Sequence, residues 1–190
     1  MHHHSFFPVN LQAQWRNADS VTLDHCLLSW LLDVNSLTAR LKKHSQQFRV
    51  QLLGQQVQAC HRKEANRDIH EGEQVLVREV LLLCDGIPQV FARSLIPLRS
   101  LTGAERQLAE LGEQSLGQVL FNSPHLCRKD IEVATFTEES SVAKMALSFG
   151  LPRKKALWGR RSVFLLGEKP LMVAEVFLPG AFAYNHENNN

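Results

Sequence analysis

Two long apolar runs in the middle of the chain are separated by a tight-turn dipeptide. Residues 75–84 and 87–97 are mostly apolar, and Asp85-Gly86 lies between them. Asp-Gly between two such runs is among the strongest short-range signals of a β-hairpin. Pairing outward from this turn places Arg78 opposite Arg93, so the sequence predicts two guanidinium groups side by side on one face of the hairpin.

This predicted arginine pair has two interpretations. Like charges directly opposite each other destabilise a sheet unless an anion lies between or beside them, and a ligand with two carboxylates would supply such anions. Alternatively, both side chains lie along the sheet and reach water or meet acids on neighbouring strands. A one-residue bulge would offset the pair.

The remaining hydrophobic patterns predict four further strands and several short helices. These elements are a helical pair at 22–33 and 36–44, a strand at 48–59 with a bulge at Gly54, a helix from a Thr102/Glu105 capping box to Gly112, a helical or turn segment at 115–121, a strand at 130–136, and a second hairpin centred on Glu168-Lys169. Six strands joined largely by hairpins, with short helices between them, predict an α+β domain built on a six-stranded antiparallel sheet.

Glu175 is the one acid in the apolar run at 170–179. The predicted second hairpin places it opposite Ser162, with Arg160 diagonal to it on the same face. An acid in such a run is exposed, paired with an arginine, or kept inside a polar ligand cavity, because an unpaired buried carboxylate is costly. All three possibilities stay open from the sequence.

Composition narrows the classes of protein. A chain of 190 residues suits one domain, and a net charge of +2 is too small to argue for nucleic acid as a partner. Nucleophile motifs, glycine-rich phosphate loops and zinc motifs are missing from the sequence, so we expect neither cofactor nor metal. The histidines at 2–4 offer no cage geometry. We expect disordered ends at 1–10 and 185–190.

Cysteine spacing and hydropathy bear on the compartment. The four cysteines are widely spaced and form no C-x-x-C pair, which favours reduced thiols over disulfides or zinc ligands. Neither a membrane-length apolar run nor a signal peptide layout is visible. We therefore expect a cytoplasmic protein without stable membrane insertion.

Six segments in a fixed order resemble the chorismate lyase family of ubiquinone biosynthesis. They are WLLDVNSLTARL at 30–41, LVREVLLLCDGIPQVFARSLIP at 76–97, SLGQVLF at 115–121, RKDIEVA at 128–134, LWGRRSVF at 157–164 and PLMVAEVFLP at 170–179. The resemblance implies an antiparallel sheet with an enclosed ligand site under helical flaps. It also implies a monomer that eliminates pyruvate from chorismate to give 4-hydroxybenzoate.

The resemblance also implies roles for particular residues. Arg78 would bind the ring carboxylate, helped by backbone N–H groups near Leu37 and Leu116, and Glu175 would hold the hydroxyl at the opposite end. Arg93 would then suit the enolpyruvyl carboxylate, because guanidinium groups form planar, bidentate hydrogen bonds with carboxylates. We expect catalysis by positioning and by electrostatic stabilisation of the departing enolpyruvate near Arg93. Whether Glu175 moves a proton or only orients the substrate stays open.

Two departures and one alternative accompany this hypothesis. Residues 137–156 form a longer connection than the family leads us to expect, either a solvated loop with a short helix or a modified lid or docking element with a basic patch at 153–155. Gln89 stands where the family often has an aromatic residue. The alternative function is a non-catalytic domain that senses 4-hydroxybenzoate or a similar aromatic acid, although such sensors usually carry a DNA-binding domain.

Overall fold

The computed structural model describes residues 5–185. The expectations for the histidines at 2–4 and for residues 186–190 therefore lie outside the described residues. Expected disorder of residues 1–10 is wrong for Val9, which is buried and donates its N–H to Glu79 Oε2 at 2.8 Å. The N-terminal segment also covers Gly54, where an added Cβ would fall 2.2 Å from the Phe7 ring.

Within residues 5–185, eight strands form one antiparallel sheet. They are β1 (Arg16–Asn17), β2 (Phe48–Ala59), β3 (Gln74–Cys84), β4 (Ile87–Pro97), β5 (Leu126–Arg128), β6 (Glu132–Thr137), β7 (Ala156–Leu166) and β8 (Lys169–Phe177). The order across the sheet is β1-β6-β7-β8-β4-β3-β2, and β5 pairs with the far end of β7. The α+β class is thus confirmed, but the predicted count of six is wrong because β1 and β5 are too short to show an alternating pattern.

The β3–β4 hairpin turns at Asp85-Gly86, as predicted. Both residues have positive φ, 51° and 80°, as a type I′ turn requires. Leu83 pairs with Pro88, but Leu82 pairs with Val90, so Gln89 is an extra residue in β4.

This bulge shifts the pairing by one residue and puts Arg78 opposite Ser94 and Arg93 opposite Glu79. The predicted Arg78–Arg93 pair is therefore wrong. The backbone carbonyl of Gln89 accepts from Leu178 N and its side chain accepts from Phe182 N, so contacts with the C-terminal chain hold the extra residue out of the ladder. A one-residue shift sends a side chain to the other face of a sheet.

The β7–β8 hairpin also turns one residue earlier than predicted. Leu166 pairs with Lys169 around Gly167-Glu168, and Gly167 has φ +62°. Glu175 consequently faces Arg160 directly, and Ser162 faces Val173.

The helices are short, and each α-helix begins at a side-chain cap. They are α1 (His25–Leu31), α2 (Leu37–Lys43), α3 (Leu116–Phe121) and α4 (Ser141–Ser148), capped by Asp24, Ser36, Ser115 and Ser140. Short 3₁₀ turns lie at Ala18–Ser20, Leu98–Ser100, Gly103–Glu110 and Phe182–Tyr184. The predicted helical pair at 22–33 and 36–44 is confirmed as α1 and α2.

The predicted capping box at Thr102 and Glu105 is wrong, and the segment forms a 3₁₀ helix. Thr102 makes no side-chain cap. Lys169 donates to the Glu105 carboxylate, the group that a capping box would direct at the Thr102 N–H, and it also donates to the Thr102 carbonyl.

Apolar clusters cover both faces of the sheet. On one face Val80, Leu82 and Ala92 pack with α1 and α2, and α3 packs on the same face further along. On the other face Leu81 and Phe91 pack with the N-terminal segment and α4. Residues 137–156 therefore contribute a helix that packs on the second face, and they do not form a lid over the first.

Among residues 5–185, no helix is both long enough and apolar enough to span a bilayer.

Candidate active site

A cavity lies on the first face of the sheet, between its central strands and the N-terminal turns of α2 and α3. Its polar lining side chains are Thr38, Arg78, Ser94, Ser115, Arg128 and Glu175. Apart from Gly117, the other lining residues are apolar. The space that can hold the centre of a water molecule is only about 40 Å³, so the cavity is small.

Arg78 reaches this cavity from the middle of β3. The residue is 2% exposed, and its guanidinium donates to the carbonyls of Gly112 at 3.2 Å and Gln114 at 2.7 Å. Within residues 5–185, no carboxylate lies within ion-pair distance of it. Burial lowers the pKa of Arg78 to about 10, so it is still a cation at neutral pH. A buried cation without a counter-ion is unfavourable unless a ligand supplies the negative charge.

Arg93, the predicted partner of Arg78, lies on the opposite face. Its Nε and Nη2 donate to the two carboxylate oxygens of Glu64 at 2.6 and 3.0 Å, and its Nη1 donates to Glu79 at 2.6 Å. All three residues are buried. Arg93 does not line the cavity, so the structure does not bring it together with the other residues predicted to contact the ligand. Glu64 lies in the connection between β2 and β3, where the sequence pattern predicts neither a helix nor a strand.

Glu175 lines the cavity from β8 and forms an ion pair with Arg160. Arg160 Nε donates to Glu175 Oε2 at 2.7 Å, and the glutamate side chain is 15% exposed. Arg160 Nη1 donates to the carbonyls of Trp30, Leu31 and Asp33, where α1 ends. Of the three possibilities open from the sequence, the structure combines two, because Glu175 is paired with an arginine and faces a cavity.

Arg78 and Glu175 occupy opposite ends of the cavity floor. Arg78 pairs with Ser94, which pairs with Val173, and Glu175 lies two residues beyond Val173 on the same face. Two strand spacings and one two-residue step correspond to a backbone separation of about 12 Å. Arg78 and Glu175 therefore reach the same cavity from strands two spacings apart.

Leu37 and Leu116 are the first residues of α2 and α3, and both line the cavity. The two helix starts touch each other through the hydroxyl groups of Thr38 and Ser115, which are 2.7 Å apart. Gly117 permits this approach, since a Cβ there would lie 3.3 Å from the Thr38 hydroxyl. The backbone N–H groups at both starts therefore lie beside the cavity that Arg78 enters.

Arg128 is a cavity residue that sequence reasoning missed. It ends β5, pairs with Phe164 on β7, and its guanidinium carbon lies 4.6 Å from the centre of the Phe164 ring. Its segment formed part of the family resemblance, but a three-residue strand in a polar stretch gives no sign that the side chain is largely buried. The only local signal was the arginine itself.

Metal ligation has no candidate in the described chain. Within residues 5–185, no three His, Cys, Asp or Glu side chains come together as metal ligands would.

Comparison with known proteins identifies the family of this chain. The sequence model described as chorismate lyase matches residues 9–188. The chain belongs to the chorismate lyase family. Of the residues that the family resemblance assigns to ligand contact, Leu37, Arg78, Leu116 and Glu175 all line one cavity.

Two curated members of the chorismate lyase family illustrate the similarity. A protein of Psychromonas ingrahamii called probable chorismate pyruvate-lyase is 45% identical over 164 residues, which cover 86% of this chain and 88% of that protein. A protein of Pseudoalteromonas translucida with the same name is 40% identical over 179 residues, which cover 94% of this chain and 98% of that protein.

Solved structures with a similar fold include domains of transcriptional regulators. The effector domain of PhnF from Mycobacterium smegmatis has a TM-score of 0.55 at 15% identity and covers 77% of this chain and 90% of that chain. The C-terminal domain of the histidine utilization repressor from Pseudomonas syringae has a TM-score of 0.54 at 14% identity, over 70% of this chain and 92% of that chain. At these identities the likeness concerns the fold alone.

Proposed function

We propose that this protein is a carbon–oxygen lyase that converts chorismate into 4-hydroxybenzoate and pyruvate. Membership of the chorismate lyase family supports the reaction class. The observation that carries the proposal is Arg78, a buried cation that faces a small cavity and whose hydrogen-bond partners among residues 5–185 are backbone carbonyls. The cavity has the charge that a carboxylate-bearing ligand needs.

The ring carboxylate of the substrate binds Arg78. A guanidinium can donate two parallel hydrogen bonds to one carboxylate, and such charge-assisted bonds are stronger than neutral ones. Backbone N–H groups at Leu37 and Leu116 complete this end of the site. The apolar side chains of Val80, Leu82 and Ala92 form the floor under the ring.

Glu175 accepts a hydrogen bond from the hydroxyl group at the other end of the ring. Its pairing with Arg160 fixes the orientation of the carboxylate, because Arg160 is itself held by three carbonyls of α1. This contact positions the hydroxyl-bearing carbon for the loss of its hydrogen.

The reaction breaks two bonds on neighbouring ring carbons. The carbon–oxygen bond to the enolpyruvyl group breaks, and its electron pair leaves with the ether oxygen as enolpyruvate. The hydroxyl-bearing carbon loses its hydrogen as a proton, and that electron pair completes the aromatic ring. Enolpyruvate gains one proton at its methylene carbon to give pyruvate, so atoms and charges balance without an external oxidant or cofactor.

The N-terminal turns of α2 and α3 act as flaps over the bound molecule. The cavity is too small, in the closed form, for an aromatic acid to enter without movement of its cover. The hydroxyl contact between Thr38 and Ser115 joins the two turns and must break for release. Retention of product would follow from this enclosure.

We place the protein in the cytoplasm as a monomer that supplies 4-hydroxybenzoate as the ring precursor of ubiquinone. Three of the four cysteines, Cys26, Cys60 and Cys84, are buried free thiols, which fits a reducing compartment. Sedimentation of the purified protein tests the monomeric state.

The decisive experiment mixes purified protein with chorismate and measures both products. We expect equal amounts of 4-hydroxybenzoate, by chromatography, and pyruvate, by a coupled dehydrogenase assay. Arg78→Met serves as the matched negative control. Binding of 4-hydroxybenzoate without turnover of chorismate would favour the sensing alternative, and the absence of both would reject the site.

A further inference from the structure

The proposed substrate carries two carboxylates, and Arg78 binds only the one on the ring. The enolpyruvyl carboxylate needs a second cation at the other end of the cavity. Arg93 cannot supply it, because Glu64 and Glu79 occupy its guanidinium on the opposite face of the sheet. A different cation must therefore meet the second carboxylate if the proposed function holds.

Arg128 has unused hydrogen-bonding capacity. Its Nη1 donates to the carbonyl of Asp33 at 3.1 Å, and its Nε is buried without a hydrogen-bond partner among the described residues. Within that same part of the chain, no carboxylate lies within 4.0 Å of its nitrogens. The guanidinium rests on the Phe164 ring, which fixes its plane at the cavity wall.

Arg160, the other buried arginine on this face, is already engaged. Its Nε is paired with Glu175 and its Nη1 donates to three carbonyls. Its Nη2 is buried without a hydrogen-bond partner among the described residues, but Arg160 does not line the cavity. Among the described residues, Arg78 and Arg128 are the two cations that line the cavity. Burial, together with repulsion from Arg160, lowers the pKa of Arg128 to about 10, so it stays cationic at neutral pH.

The position of Arg128 matches the chemistry of the substrate. In chorismate the enolpyruvyl ether is attached to the ring carbon next to the one that bears the hydroxyl group. If Glu175 holds that hydroxyl, the enolpyruvyl group lies near Glu175. Arg128 lies at this end, because it and Arg160, the partner of Glu175, both donate to the Asp33 carbonyl. Arg78 is at the other end.

We propose that Arg128 binds the enolpyruvyl carboxylate of the substrate and stabilises the negative charge that builds up on the departing enolpyruvate. This inference rests on the proposed function and adds the residue that distinguishes substrate from product. 4-Hydroxybenzoate has lost the second carboxylate, so Arg128 contributes to recognition of chorismate and to its cleavage but little to retention of the aromatic product.

The test compares Arg128→Gln and Arg128→Lys with the wild-type protein. For each we measure kcat and KM for chorismate, and Kd for 4-hydroxybenzoate by titration calorimetry. In Arg128→Gln we expect kcat/KM to fall about 10-fold or more, as for loss of a hydrogen bond to a charged group, while Kd for the product changes less than about 2-fold. Arg128→Lys keeps the charge without the bidentate geometry and should recover part of the loss.

Lys129→Gln is the matched control. Lys129 is the next residue along the chain and forms an exposed ion pair with Asp68, so its loss should leave both kinetic constants unchanged. A kcat/KM in Arg128→Gln equal to wild type would overturn this inference and leave the proposed function intact. An equal loss of product and chorismate binding in both Arg128 variants would also overturn it, because that pattern indicates a structural role. Absence of pyruvate release by the wild-type protein would reject the proposed function itself.

Discussion

Each face of the central hairpin carries a buried arginine, and the two arginines differ in their hydrogen-bond partners. Arg93 on β4 is 1% exposed and donates three hydrogen bonds to two carboxylates. Arg78 on β3 is almost as buried but donates only to backbone carbonyls. Burial of a cation therefore does not distinguish structural support from ligand binding, whereas the presence or absence of an internal counter-ion does.

The largest expected effect is on the stability of the Arg93 face. Arg93→Met leaves the carboxylates of Glu64 and Glu79 buried without their cation, and removing one partner of a buried ion pair typically costs about 3–5 kcal/mol. Denaturant unfolding followed by circular dichroism measures this loss. Arg99→Met is the control, because Arg99 forms a half-exposed ion pair with Glu73 that should contribute no more than about 1 kcal/mol.

Rescue sharpens the interpretation of the Arg93 result. A triple variant with Arg93→Met, Glu64→Gln and Glu79→Gln removes all three charges and should recover part of the lost stability. If Arg93→Met unfolds at the same denaturant concentration as wild type, the ion-pair cluster does not support the fold.

The Arg78 face should show the reverse pattern, with a large effect on binding. Arg78→Met removes the proposed partner of the ring carboxylate, and loss of one member of a buried charged contact typically costs about 2–5 kcal/mol of binding free energy. Stability should fall by only about 1–2 kcal/mol, since two hydrogen bonds to carbonyls are lost and no carboxylate is stranded. Titration of 4-hydroxybenzoate and denaturant unfolding of the same sample check both values. Unchanged product affinity would contradict the assignment of Arg78.

Glu175 should affect turnover more than product affinity. Glu175→Gln keeps the size of the side chain and an oxygen that can accept from Arg160, but it removes the charge that orients the hydroxyl group. We expect kcat to fall about 10-fold to 100-fold, as for a misplaced substrate. Glu132→Gln is the control, since Glu132 pairs with Arg161 on the other face. Wild-type kcat in Glu175→Gln would remove Glu175 from the mechanism.

The smallest expected effect is the pH dependence of the folding stability that Glu79 contributes beside Arg93. Burial raises the pKa of Glu79, although Arg93 and the N–H of Val9 oppose the shift. Because the folded pKa lies above the unfolded one, this group stabilises the fold most at low pH, and the contribution is lost as pH rises through the folded pKa. Wild-type stability should fall relative to Glu79→Gln over that range, by no more than about 1.4 kcal/mol per pH unit. A constant difference between the two proteins would contradict this account.

The long apolar runs made the central strands predictable. Strands β3 and β4 are almost wholly buried, so their sequences are nearly continuous in Val, Leu and Ile and their turn needs Asp85-Gly86. The resemblance to a known family predicted ligand contact for Leu37, Arg78, Leu116 and Glu175, which the structure brings to one cavity. For β3, β4 and their turn, the local sequence pattern agrees with the tertiary structure.

Predictions that depended on pairing register were wrong for a physical reason. The bulge at Gln89 is held by Leu178 and Phe182, residues that the chain reaches only after four more strands. The missing capping box at Thr102 has a similar cause, since Lys169 binds the Glu105 carboxylate that the box would use. Contacts between residues far apart in the chain cannot be read from local pattern.

The amino-acid sequence was enough to predict the antiparallel α+β class, the positions of six strands and four of the residues that line the cavity. Only the tertiary structure decided which arginine faces the cavity, because one inserted residue reverses the face of every side chain beyond it. It also revealed Arg128, whose burial arises from packing of β5 against Phe164 and from no apolar pattern of its own.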